Sequence, residues 1–167
     1  EVAGDLSGMK RHGVKVAAWL VRYGINTESL VPYLQEAKDP NDQAAIVKAA
    51  KKLFAMKNIK PVWGLVEAVK NFPIPDTLEF LVDLYLSDFN DTLRDACFFA
   101  IQDLVFDKVA GKSVSNTPKK RARVLAALKR LMESHSTTDR WDASEMMLHV
   151  GGVEELSSIL GGFKYDG

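Results

Sequence analysis

Four bases crowd the start of one expected helix. Thr117-Pro118 is followed by Lys119, Lys120, Arg121 and Arg123. Thr is a good N-cap and Pro suits the first helical position, so the lysines and Arg121 fall in the first turn. The partial positive charge of a helix N-terminus disfavours cations there by roughly a few tenths of a kcal/mol each. A cationic first turn beside free backbone N–H groups instead makes an anion site, suited to a phosphate or an acidic peptide. The competing assignment is that Asp103 and Asp107, from the preceding helix, neutralise these bases. Asp139, Arg140, Trp141, Asp142 and Glu145 form a second cluster. It reads most simply as a capping Asp139, a packed Trp and a charge pair spaced i,i+3. Trp63, with Lys60 three residues before it, is a candidate peptide anchor. Trp19, Trp63 and Trp141 all fall within helical stripes and are expected in the core, with Trp63 the best exception.

Other chemistry finds no support. His12, His135 and His149 are isolated and have no partner at metal-ligand spacing. No glycine-rich loop is followed by Lys-Ser/Thr, and no Ser or Cys nucleophile motif occurs. The expectation is a chain with no catalytic residues, no metal and no cofactor. Cys97 is the one cysteine, set among Ala96, Phe98 and Phe99, and is expected to be buried and inert. No apolar run approaches the roughly 18 residues of a membrane span, and no signal-peptide pattern is present. An intracellular, cytoplasmic address is expected, with the nucleus as the alternative. The chain starts at Glu1, which suggests one domain, 1–167, belonging to a longer protein.

The elements that must position these residues are all helical. Nine helices are expected, at 6–23, 27–38, 41–56, 59–71, 75–87, 90–107, 118–133, 138–149 and 152–161. No stretch shows sustained alternation with β-branched enrichment. Gly24, Asp39-Pro40-Asn41-Asp42, Pro73 and Pro75, and Gly151-Gly152 punctuate the helices. Leu78, Leu81, Val82, Tyr85 and Leu86 form one stripe. Leu93, Ala96, Cys97, Ala100, Ile101 and Leu104 form another, widened by Phe98, Phe99, Val105 and Phe106. That second helix is apolar almost all round and is expected mid-stack. Leu125, Leu128, Leu131 and Met132 are the expected stripe of the basic helix. Residues 107–117, DKVAGKSVSNT, are expected to form an exposed, mobile loop.

The helices repeat a grammar: an alanine-rich run, a Gly or Asn break, then a second apolar run. It occurs at 14–37, 46–69 and 140–160, with a degenerate copy at 93–104. Periodic helix pairs imply a stacked array in which each pair buries its apolar face on its neighbours. Ala49, Ala50, Leu53, Asn58, Pro61, Val62, Leu65 and Val69 give this chain the layout of a short HEAT-like repeat. Ala17, Ala18, Leu20, Gly24, Leu30, Pro32 and Leu34 follow it with a one-residue slip. Ala143, Met147, Val150, Gly151, Leu156 and Leu160 follow it again. The chain therefore resembles HEAT or armadillo-type helical-repeat proteins over most of its length. The resemblance implies a right-handed array of antiparallel helix pairs, an α-α superhelix, and a scaffold rather than an enzyme. Ala17, Ala49, Ala96 and Ala143 are the anchor alanines, expected at close helix crossings. Their spacings of 32, 47 and 47 are irregular. Helix 75–87 either completes a three-helix, armadillo-like unit, the preferred reading, or marks a kink. The acid-tryptophan cluster is also similar in residue type to the site of helical-repeat DNA glycosylases, with no matching motif.

Charge is balanced overall but segregated. Residues 72–107 carry a net −7, 108–135 a net +7, 38–70 a net +4 and 136–167 a net −4. The plain explanation is solvated faces of neighbouring helices. The sharper one is recognition. The expected partner is another protein, bound as a peptide or helix along a groove, with Lys119, Lys120, Arg121 and Arg123 taking its acidic groups and Trp63 and Lys60 assisting. The alternative is RNA, bound through 48–70 and 112–130. The resemblance supports this alternative too, because pseudo-HEAT domains occur attached to RNA-binding modules. Residues 118–124, PKKRARV, are also similar to a monopartite nuclear-localisation signal, although they run into a helix.

Overall fold

A computed structural model describes residues 34–55, 63–87 and 91–163, apart from the side chains of Leu53, Trp63, Leu65 and Gly162. The expected helix 6–23, most of 27–38, and Lys60 lie outside these residues. Among the described residues helix is the one regular secondary structure, with no strand. The helices are α1 (Pro40–Ala55), α2 (Trp63–Val69), α3 (Pro75–Leu86), α4 (Asp91–Val105), α5 (Pro118–Leu131), α6 (Thr137–Gly151) and α7 (Leu156–Gly162). A 3-10 turn, Gly152–Glu155, joins the last two. The chain divides into two compact units, Glu1–Phe80 and Leu81–Gly167, with the boundary inside α3.

In the first unit, prolines start the helices. Pro40 and Pro75 are the first residues of α1 and α3, where a missing N–H costs nothing and φ is already helical. Asp39 closes the entry to α1, its carboxylate accepting from Asn41 N at 2.8 Å. Leu34 is helical and Gln35-Glu36 form a turn, so the preceding helix stops before residue 38. The turn is held in place by side chains. Gln35 Nε2 donates to Glu67 O at 2.8 Å and Gln43 Nε2 to Ala37 O at 2.9 Å. Both bonds satisfy carbonyls that would otherwise lack partners at helix ends. Ile46, Val47, Ala49 and Ala50 of α1 are buried, as are Val66, Ala68 and Val69 of α2, and Phe72 beyond it. Phe54 meets Phe80 edge-on, centroids 6.3 Å apart.

In the second unit, α4 buries Leu93, Cys97, Phe98, Ala100, Ile101, Leu104 and Val105. Two expectations for this helix fail. Ala96 is only half-buried, and Phe99 is 66% exposed. A helix packed on one broad side leaves the residue after Phe98 facing outward, whatever its hydrophobicity. The α5 stripe also differs in register. Val124, Ala127, Leu128 and Leu131 are buried, while Leu125 and Met132 are half-buried. The observed set has the i, i+3, i+4, i+7 spacing of a helix face.

The link between α4 and α5 is built from successive turns. Lys108 N bonds to Asp103 O at 2.9 Å and Asp107 N to Leu104 O at 3.3 Å, with Asp107 at φ 59°. This is a Schellman closure with Asp where Gly is usual. Ala110 and Gly111 follow at φ 53° and 63°, and Lys112 N closes on Val109 O, the pattern of a type I′ turn. Asp107, Lys108, Lys112, Asn116 and Thr117 are exposed, and Ser113 and Ser115 are half-buried. Val114 is fully buried and Val109 is 9% exposed, so the loop carries two apolar anchors.

Buried and half-buried alanines should respond differently to enlargement. Ala49→Leu and Ala143→Leu should each cost about 1–3 kcal/mol by overpacking. Ala96→Leu should cost less than about 0.5 kcal/mol, as surface substitutions do. Denaturant unfolding of the three variants measures this. Equal losses would mean that burial at these positions does not govern the response.

Candidate functional site

The basic helix start forms as its sequence suggests. Thr117 takes an extended conformation, φ −128° and ψ 155°, and its hydroxyl accepts from Lys120 N at 3.2 Å. Pro118 occupies the first turn. Lys119 and Arg121 are exposed, and Lys120 and Arg123 are half-exposed. Among the described residues no acid lies within ion-pair reach of Lys119, Lys120 or Arg121. The expected alternative, neutralisation by Asp103 and Asp107, is therefore not what the structure contains.

The other end of α5 is different. Arg130 Nη1 bonds to Asp83 at 2.6 Å, and Lys129 Nζ lies 3.4 Å from Glu155. These bases sit in the last turn, where cations complement the helix dipole. One helix thus carries paired bases at its C-terminal end, while Lys119, Lys120 and Arg121 in its first turn have no ion-pair partner among the described residues. Of the other expected site residues, Lys60 and the side chain of Trp63 lie outside the described residues. Both belong to the first unit, and the α5 bases to the second. In the first unit Lys48 and Lys52 are exposed on α1, and Lys70 pairs with Glu67 at 3.0 Å.

The acid-tryptophan cluster departs from expectation at two places. Ser136, not Asp139, caps α6, its Oγ accepting from Asp139 N at 3.2 Å. This frees the Asp139 carboxylate to accept a hydrogen bond from the Tyr85 hydroxyl. Trp141 is 60% exposed rather than in the core, its ring 4.8 Å from that of Phe163. Arg140 is buried, donating to Ser134 O at 2.6 Å and to Thr137 Oγ1 at 3.2 Å.

Sequence reasoning missed the centre of this polar network. The Tyr85 hydroxyl, buried on α3, meets Ser134 Oγ at 2.6 Å as well as Asp139. Tyr85 has one proton, which goes to the carboxylate, so Ser134 donates to Tyr85. Ser134 Oγ in turn accepts from Ser136 N at 3.1 Å. The partners lie 49 and 54 residues away from Tyr85.

Neither of the clearly shifted groups is poised for reaction. Burial, then the hydrogen bond to Asp139, pushes Tyr85 from an ordinary 10.0 up to about 12. Burial pushes the Cys97 thiol from 9.0 up to about 12. Both stay neutral near pH 7, so the thiol is not a nucleophile and the phenol is not a base. Among the described residues no three His, Cys, Asp or Glu side chains are grouped to hold a metal ion. No helix among them is long and apolar enough to cross a membrane. No family model, curated protein or solved structure matches the chain.

Both shifts predict alkaline sensitivity. Each raised value means that folding favours the protonated group, so its contribution is complete below the unfolded value and is lost as pH rises towards the folded one. Stability should begin to fall above about pH 9, where unfolded Cys97 ionises, and fall further above about 10 with Tyr85. Urea unfolding from pH 8 to about 12 reads this directly. Cys97→Ala should flatten the part that begins near pH 9. An unchanged profile in that variant would assign the loss to other groups.

Proposed function

We propose that this chain is a non-enzymatic protein-interaction module, a HEAT or armadillo-like helical array whose α5 N-terminus recognises acidic groups on a partner peptide or helix. The observation that carries this reading is the asymmetry of α5. Its last-turn bases are paired with Asp83 and Glu155. Its first-turn bases face solvent beside the capped N-terminus. An incoming carboxylate there gains from lysine and arginine charge and from the helix dipole together. The buried, neutral Cys97 and Tyr85 fit a scaffold better than a catalyst.

The alternative, an RNA surface spanning 48–70 and 112–130, is less well supported. A phosphate backbone is tracked by a continuous basic stripe. Here acids interleave the bases at 129–130, and Glu67 answers Lys70. Compensated bases add little to such a stripe.

Replacing Lys119, Lys120 and Arg121 together by Glu tests the site. The fold should survive, since acids in a first turn favour the dipole. Binding of a labelled Glu/Leu-rich peptide should fall by about tenfold or more, with circular dichroism unchanged. A single-stranded RNA oligonucleotide titrated at low and high salt provides the comparison. Tight RNA binding with a steep salt slope would overturn the protein-partner reading in favour of the alternative. Equal peptide binding by wild type and triple variant would reduce the basic turn to a solvated face.

A further inference from the structure

A second surface of opposite character lies on α6 and α7. Six large apolar side chains stand exposed among the described residues, and five of them fall between 141 and 160: Trp141, Leu148, Val153, Leu156 and Leu160. Trp141, Glu145 and Leu148 are spaced i, i+4, i+7 and share one edge of α6. Leu156, Leu160 and Phe163 have the same spacing at the end of the chain. α7 turns back so that Phe163 reaches the Trp141 ring at 4.8 Å, which joins the two edges into one surface. Beneath it Met146, Met147 and Ile159 are buried, so these elements are packed while their outer edges are not. Exposed large apolar side chains gathered on adjoining elements, whose edges meet at Trp141 and Phe163, mark an interaction site rather than scattered surface hydrophobics.

The charges around the patch select its occupant. Residues 141–163 contain Asp142, Glu145, Glu154 and Glu155 and no lysine or arginine. Glu155 is engaged with Lys129, which leaves Glu145 and Glu154 exposed on this surface. Arg140 is buried beneath the Phe163 ring, 5.9 Å from its centroid. An isologous pairing with a second copy would set these acids against themselves, and like charges across an interface oppose association. An anionic lipid surface would be repelled for the same reason. The complementary partner is apolar and basic.

We propose that the α6–α7 surface docks an amphipathic helix of a partner protein, whose apolar stripe covers Trp141, Leu148 and Leu160 and whose flanking lysines or arginines meet Glu145 and Glu154. This is helix-in-groove recognition with an aromatic anchor. It is distinct from acid recognition at the start of α5 and does not depend on it.

The test uses a labelled synthetic peptide with Leu at i, i+3, i+4 and i+7 and Lys elsewhere, and a twin carrying Glu in place of Lys. In the triple Glu variant at 119–121, which lacks the acid-binding turn of α5, fluorescence anisotropy should show binding of the Lys peptide and at least about tenfold weaker binding of the Glu twin. Trp141→Ala and Glu145→Lys should each weaken the Lys peptide by about tenfold. Both positions are exposed, and the Glu145 change leaves every contact of the core in place. Asp95→Lys, an exposed acid on α4, should leave binding unchanged, as should the triple Glu variant at 119–121. Three results would overturn the proposal. One is equal binding of the two peptides. Another is equal weakening by Asp95→Lys and Glu145→Lys, which would reduce the attraction to general charge. The third is a wild-type dimer in sedimentation that Trp141→Ala dissociates, which would make the surface a contact between copies.

Discussion

The Tyr85 hydroxyl is the constraint on which the second unit depends. A buried phenol left without a partner costs roughly 1–3 kcal/mol, more than a net hydrogen bond returns. The fold therefore has to bring hydrogen-bond partners to it, an acceptor for its proton and a donor to its oxygen. It does so by placing Ser134, in the turn after α5, and Asp139, in the first turn of α6, against the end of α3. Arg140 adds its bond to Ser134 O, and Ser136 N is satisfied by Ser134 Oγ. Three elements are thus fixed at one point, and the directions of α5 and α6 follow from it.

Those directions decide what the unit shows to solvent. With Ser134–Asp139–Arg140 turned inward, the opposite edge of α6 carries Trp141, Glu145 and Leu148 outward. Val124, Ala127, Leu128 and Leu131 hold α5 against its neighbours, each larger side chain contributing about 1.5–3 kcal/mol by burial. The basic first turn of α5 is left projecting past the end of that stripe. Recognition on this reading comes from rigid helices, one presenting unneutralised bases and another an apolar surface rimmed by acids. The overall charge of zero conceals both.

Much of this was legible in the sequence, for local reasons. Pro40, Pro75 and Pro118 start helices where their missing N–H is harmless, and Gly152, at φ 74°, ends α6 where glycine was expected to. The α3 stripe was legible in part: Leu78, Leu81, Val82 and Tyr85 are buried as expected, but Leu86 is half-buried and Phe80 and Leu84, outside that stripe, are fully buried. The α5 register was not legible, because Leu125 and Met132 are as apolar as Val124 and Ala127. Composition offered no way to choose between two overlapping faces. The exposure of Phe99 and Trp141 was hidden because hydrophobicity predicts burial in one direction only. The Tyr85 network joins residues about fifty positions apart, and no local pattern encodes such a pairing. For the candidate site, the bases and their cap were visible in the sequence. Which of them the acids neutralise was not.

A double-mutant cycle on Tyr85→Phe and Asp139→Asn, read by urea unfolding near pH 7, tests the central claim most directly. If the hydroxyl organises the unit, the two losses are coupled, with an interaction energy of about 1–3 kcal/mol. Losses that add to within about 0.3 kcal/mol would contradict it and leave apolar packing alone as the organising force.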